Sequence, residues 1–242
     1  MYAIKTVGIT KKYKDLTAVD SLDLEIREGE LFTLLGVNGA GKTTLIKMLS
    51  CLIKATSGEA FINERSISCE AALVKSMIGV SPQETAIAHN LTVKENLELI
   101  CGLHSFSRER SREKIDEIIE DLSLTPIESK KAGRLSGGYK RRLSIAMALI
   151  SEPKVLFLDE PTLGLDVIAR RELWEAIRKL KGQVTIILTT HYMEEAEALS
   201  DRVGIMKDGK LLVVGTVDEL KNKTSAPTFE DAFISFVTEG GK

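Results

Sequence analysis

A glycine-rich segment, Gly36 to Thr43, offers the most specific chemistry in the sequence, since it spells GVNGAGKT and fits the pattern GxxxxGK[ST]. Glycines let backbone N–H groups turn inward around a phosphate, and a helix that starts there adds the positive end of its dipole. Lys42 supplies a charge for the β- and γ-phosphates, and Thr43 supplies a hydroxyl ligand for Mg²⁺. The segment therefore predicts a nucleoside triphosphate site. Its predicted binding residues are Gly36, Asn38, Gly39, Ala40, Gly41, Lys42, Thr43 and Thr44.

Two adjacent carboxylates, Asp159 and Glu160, follow the apolar run 155–158. Open α/β sheets bind their ligands at the carboxyl ends of such strands. Asp159 is predicted to hold Mg²⁺, usually through water, and Glu160 to polarise the water that attacks the γ-phosphate. Apolar strands often end in acidic residues, so this pattern is specific only together with the phosphate-binding segment.

A second phosphate-binding segment is predicted at Leu135-Ser136-Gly137-Gly138, where a hydroxyl and two glycine N–H groups precede an amphipathic helix pattern. A loop-to-helix junction without any ligand is the alternative for this segment. If it does bind a phosphate, one molecule cannot easily bring both segments to the same phosphate.

The elements that must position these residues alternate between strand and helix patterns. Leu22, Leu24 and Ile26 alternate with acidic residues, as in a half-exposed strand. Nearly continuous apolar runs, typical of strands covered on both faces, are followed by short turns. These predicted strands lie at 31–35, 60–62, 77–81, 155–158 and 184–188.

Helical patterns fill the intervals between the strands. Leu45, Met48, Leu49 and Leu52 share one face of a predicted helix after the phosphate-binding segment. The pattern is helical from about 84 to 150. The order of the patterns predicts an α/β fold around a mainly parallel sheet, with this stretch as a helical insertion. We predict one domain over 1–220, followed over 221–242 by a linker and an amphipathic helix that either packs on its own domain or offers its apolar stripe to a partner.

Composition limits the classes of function. With 33 basic and 35 acidic residues among 242, the net charge is −2, which argues against a nucleic-acid partner. No apolar run approaches the ~20 residues of a membrane helix, and residues 1–5 lack the apolar core of a signal peptide. We therefore expect a cytosolic protein.

In their order and spacing, these motifs resemble the ATP-binding subunit of an ABC transporter, over about residues 1–220. The resemblance implies an ABC ATPase fold, which is an α/β P-loop NTPase core with an antiparallel β part at the N-terminus and a helical insertion. It also implies ATP and Mg²⁺ as cofactors. Gly36–Thr43 is similar to the family's Walker A motif, and Asp159 and Glu160 to its Walker B aspartate and catalytic glutamate. Residues 135–138 are similar to the ABC signature.

The resemblance also implies roles for two further polar residues. Gln83, 41 residues after Lys42, is similar to the Q-loop glutamine that contacts Mg²⁺ and the attacking water. His191, 31 residues after Glu160, is similar to the switch histidine at the γ-phosphate. Gln83 and His191 therefore join Glu160 as expected catalytic residues, and Gln83 joins Thr43 and Asp159 as an expected metal ligand.

Two further residues are implied to contact the nucleotide. Asp166 lies in a segment that resembles the D-loop. Tyr13, 23 residues before Gly36, is similar to the aromatic residue that stacks on adenine, although Phe32 and Tyr2 remain alternatives.

One position departs from the family's signature, because Tyr139 stands where glutamine is usual. We expect altered packing near the ribose and retained hydrolysis. The basic run 140–142 is interpreted as a solvated helix start, since a nucleic-acid patch would need interleaved aromatic residues.

The resemblance implies two partners. In a dimer, Ser136 of one ATP-binding subunit would face the nucleotide held by Lys42 of another, either an identical or a closely related chain. A separate membrane-spanning permease would contact the helical region near Gln83 and hold the chain at the cytoplasmic face of the membrane. The segments 161–166 and 228–233 resemble bacterial exporters of drugs, polyketides, lipids or sodium.

Non-transport relatives remain the alternative. An ABC ATPase of translation or of iron–sulfur assembly shares these motifs, although the translation factors carry two such domains in one chain. A DNA-repair relative would need a long coiled coil, whereas the charged helix pattern at 107–122 covers about sixteen residues.

Overall fold

The computed structural model describes residues 1–239 and contains two β-sheets flanked by helices. The first sheet has four strands in the order β2-β1-β4-β5, and the second has six in the order β10-β9-β3-β8-β7-β6. The strands are β1 Tyr2–Tyr13, β2 Leu16–Arg27, β3 Leu31–Leu35, β4 Ser57–Ile62, β5 Arg65–Ser66, β6 Ile78–Ser81, β7 Val155–Asp159, β8 Thr185–Thr190, β9 Arg202–Lys207 and β10 Lys210–Gly215.

The six-stranded sheet is parallel except at β10, which pairs antiparallel with β9. Along β7 the side chains alternate between two cores. Leu156 and Leu158 face the helices, whereas Val155 and Phe157 face the other sheet. This coverage of both faces explains the continuous apolar runs in the sequence and confirms the predicted mainly parallel core.

The four-stranded sheet is antiparallel and packs over one face of the parallel sheet. Its buried residues, such as Leu22 and Ile26, share a core with Phe32 of β3. The antiparallel N-terminal part is therefore confirmed, and it brings the end of β1 and the start of β2 close to the start of the first helix.

The helices are α1 Lys42–Leu49, α2 Ala71–Ser76, α3 Val93–Leu103, α4 Arg108–Asp121, α5 Gly137–Leu149, α6 Val167–Leu180, α7 Met193–Leu199, α8 Val217–Thr224 and α9 Phe229–Glu239, with 3₁₀ turns at Thr125–Ile127 and Ala132–Arg134. Thr92 and Glu95 form a capping box at the start of α3. Helices α3, α4 and α5 contact one another, and α5 also packs on strands β6 and β7. Helix α5 therefore connects the helical region to the parallel sheet.

The helix after the phosphate-binding segment is shorter than its apolar pattern suggested. Leu45, Met48 and Leu49 are buried as expected, but α1 ends at Leu49. Cys51 takes a positive φ of 56°, which turns the chain away, and Leu52 is 64% exposed. The assignment of Leu52 to the buried face was therefore wrong.

The end of the described chain packs on its own domain. Phe229 and Ala232 of α9 are buried in a core with Val203 and Ile205 of β9. Lys207 Nζ donates a 2.6 Å hydrogen bond to the carbonyl of Val237 near the end of α9. The apolar stripe of α9 therefore lies against β9 and α8. Residues 240–242 of the predicted C-terminal segment lie outside the described residues.

Candidate active site

The phosphate-binding segment joins the end of β3 to the start of α1, as its sequence predicted. Gly41 has φ of 103°, and a Cβ at this position would lie 2.3 Å from the carbonyl oxygen of Ala18. At Gly36 a Cβ would lie 2.4 Å from the carbonyl oxygen of Met206. A side chain at either position would clash with these carbonyl oxygens, so the two glycines let strands β2 and β9 lie directly against the loop.

Lys42 lies beneath this loop and is only 5% exposed. Its Nζ donates hydrogen bonds to the carbonyls of Gly36 at 2.7 Å and Val37 at 3.2 Å. The same Nζ is 3.5 Å from Oε1 of Glu160. A buried ammonium held by these groups presents its charge at the position where the loop would hold phosphate.

Asp159 ends β7 beside the first residues of α1. Its Oδ1 accepts hydrogen bonds from the hydroxyls of Thr189 at 2.6 Å and Thr43 at 3.1 Å. A carboxylate and a hydroxyl side by side are oxygen ligands of the kind that Mg²⁺ takes in nucleotide sites. Over residues 1–239 there is no group of three or more His, Cys, Asp and Glu side chains that could hold a metal alone. The Asp159 carboxylate and the Thr43 hydroxyl supply two oxygens, which suits a metal that also takes oxygens from a phosphate and water.

Glu160 directly follows Asp159 and has a positive φ of 50°. Its N–H donates to both the carbonyl and the hydroxyl of Thr189, at 3.1 and 3.0 Å. Its carboxylate Oε2 lies 2.6 Å from Nδ1 of His191. A left-handed conformation costs about 1–3 kcal/mol for a residue with a side chain, and such strain concentrates at functional sites.

A cavity of about 640 Å³ opens above these residues. The predicted site residues that line it are Tyr13, Asn38, Gly39, Ala40, Gly41, Lys42, Thr43, Thr44, Gln83, Glu160 and His191. Asp159 and Gly36 lie just below its floor, because they bond to Thr43 and Lys42. One cavity thus collects the two strand ends, the glycine-rich loop and the residue predicted to stack on adenine.

Tyr13 is the aromatic residue at the cavity among the three that the sequence left open. It ends β1, is 45% exposed, and has Lys11 Nζ 5.1 Å from its ring centroid. Phe32 is fully buried, and Tyr2 lines a different cavity. Tyr13 is therefore the available platform for an aromatic base.

Six lining residues were not identified from the sequence. They are Leu16, Thr17, Ala18, Leu163, Asp208 and Gly209. Asp208 and Gly209 form the hairpin turn between β9 and β10, a turn that this pair of residue types favours. The Gly209 N–H donates a 3.1 Å hydrogen bond to the carbonyl of Ala40. Only the packing of the two sheets shows that these turns border the site.

Gln83 lies on the loop after β6, and its backbone is anchored by α5. Arg141 donates to the carbonyls of Pro82 at 2.6 Å and Gln83 at 2.7 Å. Burial lowers the pKa of this guanidinium, while the charges of Asp159 and Glu195 act in the opposite direction. The loop is thus tied to the helix that follows the signature segment.

The basic run 140–142 does not form a solvated helix start, and that interpretation was wrong. Arg141 and Arg142 are 5% and 6% exposed. Arg142 pairs with Glu172 of α6 and lies 5.2 Å from the ring centroid of Tyr139, which packs against the helical core. Both guanidinium groups therefore bind partners inside the protein and do not point into solvent.

The signature residues lie outside the cavity of their own chain. Ser136 and Gly137 are exposed at the start of α5, and the Ser136 side chain makes no capping hydrogen bond. A Cβ on Gly137 would lie 3.3 Å from Leu165, and one on Gly138 would lie 3.1 Å from Cβ of Ala169. These glycines therefore also permit close packing on α6.

Asp166 is likewise outside the cavity. Its carboxylate accepts a 2.9 Å hydrogen bond from the N–H of Ala169 and caps α6. Asp166 lies beside the signature segment. The predicted site residues therefore fall into two sets. One set lines the cavity, and the other, Ser136, Gly137, Gly138 and Asp166, lies at the adjoining starts of α5 and α6.

Comparison with known proteins places the chain in a family. The family described as ABC transporter matches residues 19–163. A daunorubicin resistance ATP-binding protein of Streptomyces coeruleorubidus is 42% identical over 92% of this chain and 71% of its own length. A probable multidrug ABC transporter ATP-binding protein of Escherichia coli is 38% identical over 99% of this chain and 42% of its own length.

A solved structure agrees with the sequence comparison. It is described as a dimeric, post-hydrolysis state of the ATP-binding cassette MJ0796 bound to ADP and Pi. It superposes with a TM-score of 0.79 and 28% identity, over 88% of this chain and 98% of that one. The chain therefore belongs to the ABC transporter family, as an ATP-binding and ATP-hydrolysing subunit that powers transport.

Proposed function

We propose that the cavity binds ATP with Mg²⁺ and that its residues divide the work of hydrolysis. Lys42 neutralises the phosphates, and the N–H groups of the loop 36–44 enclose them. Tyr13 stacks on the base. Thr43, Asp159 and Gln83 hold Mg²⁺, which neutralises charge on the transferred phosphoryl group.

Glu160 acts as the general base in this proposal. Its carboxylate is held between Lys42 Nζ at 3.5 Å and His191 Nδ1 at 2.6 Å, so it occupies one position at the cavity wall. There it accepts a proton from the attacking water. His191 orients the carboxylate through its Nδ1 contact and lies at the wall of the same cavity. The single observation that supports this role most strongly is the convergence of Lys42, Glu160 and His191 in one cavity.

We infer that a second subunit completes each site. Ser136 and Gly137 are exposed and lie outside the cavity of their own chain, although their types suit phosphate binding. A two-fold arrangement would place Ser136, Gly137, Gly138 and Asp166 of a second copy over the nucleotide. The similar cassette described as dimeric with ADP and Pi supports this arrangement. The second subunit is either an identical chain or a close relative.

We further propose that the chain powers export through a separate membrane-spanning permease. Among residues 1–239, no helix has the length and apolar character to span a membrane. The names of the two relatives, daunorubicin resistance and multidrug transporter, support an exporter of organic molecules over a non-transport ATPase. The chain would then bind the permease at the cytoplasmic face of the membrane.

Two measurements test the proposal. The full chain should release phosphate from ATP with Mg²⁺, and removal of Mg²⁺ by EDTA should abolish the release. A tagged chain should co-purify from detergent-solubilised membranes with one hydrophobic protein that has several membrane helices. Phosphate release without Mg²⁺ would contradict the site assignment, and recovery of the chain without any membrane protein would contradict the permease.

A further inference from the structure

Glu195 is a buried carboxyl group to which the proposed reaction assigns no role. It lies on α7 and has 0% exposure. Its Oε1 accepts a 3.1 Å hydrogen bond from Nε1 of Trp174, on α6. Acidic side chains are almost never fully buried without a reason, so the surroundings of Glu195 indicate its task.

Two threonine hydroxyls lie beside this carboxyl group. Burial raises the pKa of Glu195 most strongly and the charge of Glu160 adds to the rise, whereas the polar hydrogens of the nearby Thr190, Trp174 and Thr162 side chains act in the opposite direction. Thr190 directly precedes His191, and Thr162 follows Glu160 by two residues. Glu195 thus lies between the two chain segments that carry the reacting pair.

One side of this cluster has unused hydrogen-bonding capacity. Among the described residues, neither Oε2 of Glu195 nor the hydroxyl of Thr162 has a hydrogen-bond partner, although both atoms are buried. Buried polar atoms without partners are unfavourable, and two that lie side by side are stabilised when they pair.

We propose that Glu195 is a positioning residue that joins the segment of Glu160 to the segment of His191. Its hydrogen bond to Trp174 connects both segments to α6, the helix whose start adjoins the signature residues. Movement of the Glu160–His191 pair on nucleotide binding therefore reaches α6 through Glu195. The inference rests on the proposed roles of Glu160 and His191.

Substitutions of Glu195 distinguish a positioning role of its carboxyl group from a role in packing alone. Glu195→Leu keeps the volume and removes the hydrogen bonds, so turnover of ATP should fall between about 10- and 100-fold, as for a misplaced reacting group. The affinity for Mg²⁺-ATP by calorimetry should stay unchanged, because phosphate and base contacts remain. Glu195→Gln keeps an acceptor for Trp174 and a donor for Thr162, and it should restore most of the turnover. Glu197→Leu, at an exposed position of the same helix, is the matched control.

Trp174 supplies a direct optical signal, because it is the one tryptophan of the chain. Saturation of the full chain with Mg²⁺-ATPγS should shift the tryptophan emission in the wild type and in Glu195→Gln. Glu195→Leu should bind the same nucleotide without that shift. The tryptophan emission therefore reports on the contact between Glu195 and Trp174 and not on the overall stability of the fold.

Three outcomes would overturn the inference. They are wild-type turnover in Glu195→Leu, equal losses of turnover in the Gln and Leu variants, and a wild-type emission that does not respond to saturating nucleotide. Failure of the proposed reaction is distinguishable, because a wild-type chain without phosphate release contradicts the roles of Glu160 and His191 directly. An active wild type together with an active Glu195→Leu variant contradicts only the positioning role.

Discussion

Oε2 of Glu160 lies 2.6 Å from Nδ1 of His191, across the ends of two neighbouring parallel strands. The register of those strands pairs Asp159 with Thr189, so the next residues of each chain segment emerge at the same edge of the sheet. The contact between the Glu160 carboxylate and His191 is therefore a consequence of sheet register.

Replacement of Glu160 by Gln should remove the general base while retaining nucleotide binding. General-base assistance contributes about 10²–10⁴-fold, so phosphate release should fall by a factor in that range. The variant should accumulate as an ATP-bound dimer on size-exclusion chromatography. Glu98→Gln, at an exposed position of α3, should leave both measurements unchanged. Undiminished hydrolysis by the Glu160 variant would sink the assignment of the base.

Replacement of Lys42 by Ala should weaken ATP binding itself. The buried ammonium is held by loop carbonyls and by Glu160, and charge-assisted contacts contribute about 1.5–3 kcal/mol. Isothermal titration calorimetry should show a corresponding loss of affinity, roughly 10- to 100-fold. The exposed Lys47 of α1 offers the matched control, Lys47→Ala. Equal affinities for the wild type and the Lys42 variant would contradict the phosphate-binding role of the loop.

A mixing experiment should show whether two subunits share each site. Lys42→Ala and Ser136→Glu are each expected to be inactive as homodimers, because every site then carries one defect. A mixed dimer has one intact composite site, and random mixing should restore about a quarter of wild-type activity under two-fold symmetry. Activity that stays at the level of the separate variants after subunit exchange would place both segments in one chain.

Removal of the Thr189 hydroxyl should disturb the metal ligand. Thr189→Val keeps the shape but removes the 2.6 Å hydrogen bond to Asp159 and the bond from the Glu160 N–H. Asp159 keeps its hydrogen bond from Thr43, and the Glu160 N–H keeps the carbonyl of residue 189, so each lost bond costs about 0.5–1.5 kcal/mol. We expect a lower urea midpoint and a higher Mg²⁺ concentration for half-maximal turnover. An unchanged Mg²⁺ dependence would show that this hydroxyl does not orient Asp159.

The pH dependence of stability should reveal the proton on Glu195. Burial raises the pKa of this carboxyl in the folded chain above its usual value of 4.5. The folded state then binds more protons than the unfolded state, so this group lowers the free energy of unfolding as pH rises above about 4.5. The nearby charges of Glu160 and Arg141 move this window without reversing its sign.

Glu195→Gln removes that titration. The variant should therefore gain stability relative to the wild type as the pH rises above about 4.5, measured as the difference in urea midpoints. A difference that stays constant over this range would show that Glu195 is ionised in the folded protein.

The parts of the site that follow from local sequence were predictable. The strand, glycine-rich loop and helix around Lys42 are consecutive in the chain, so their pattern alone indicated a phosphate site. Asp159 and Glu160 follow a buried strand for the same reason. The geometry of such segments is determined by residues that are neighbours in the sequence.

Contacts between distant segments were not predictable from the pattern. Nothing local to Ala18 or Asp208 indicates that they border the cavity, because the approach of the two sheets places them there. The basic character of Arg141 suggested solvent exposure, yet carbonyls of the loop at Pro82 and Gln83 hold it in the interior. Leu52 kept the helical spacing of its neighbours, but the positive φ of Cys51 ended the helix first.

The close approach of Gly138 to Ala169 carries a consequence for the evolution of the chain. A Cβ at 138 would lie 3.1 Å from Cβ of Ala169, so residue 169 must move by a few tenths of an ångström or become smaller to accept it. We therefore expect selection to act on the two helix starts as a pair. Among related chains, substitutions at these two positions should co-vary, even though the positions belong to motifs that are usually considered separately.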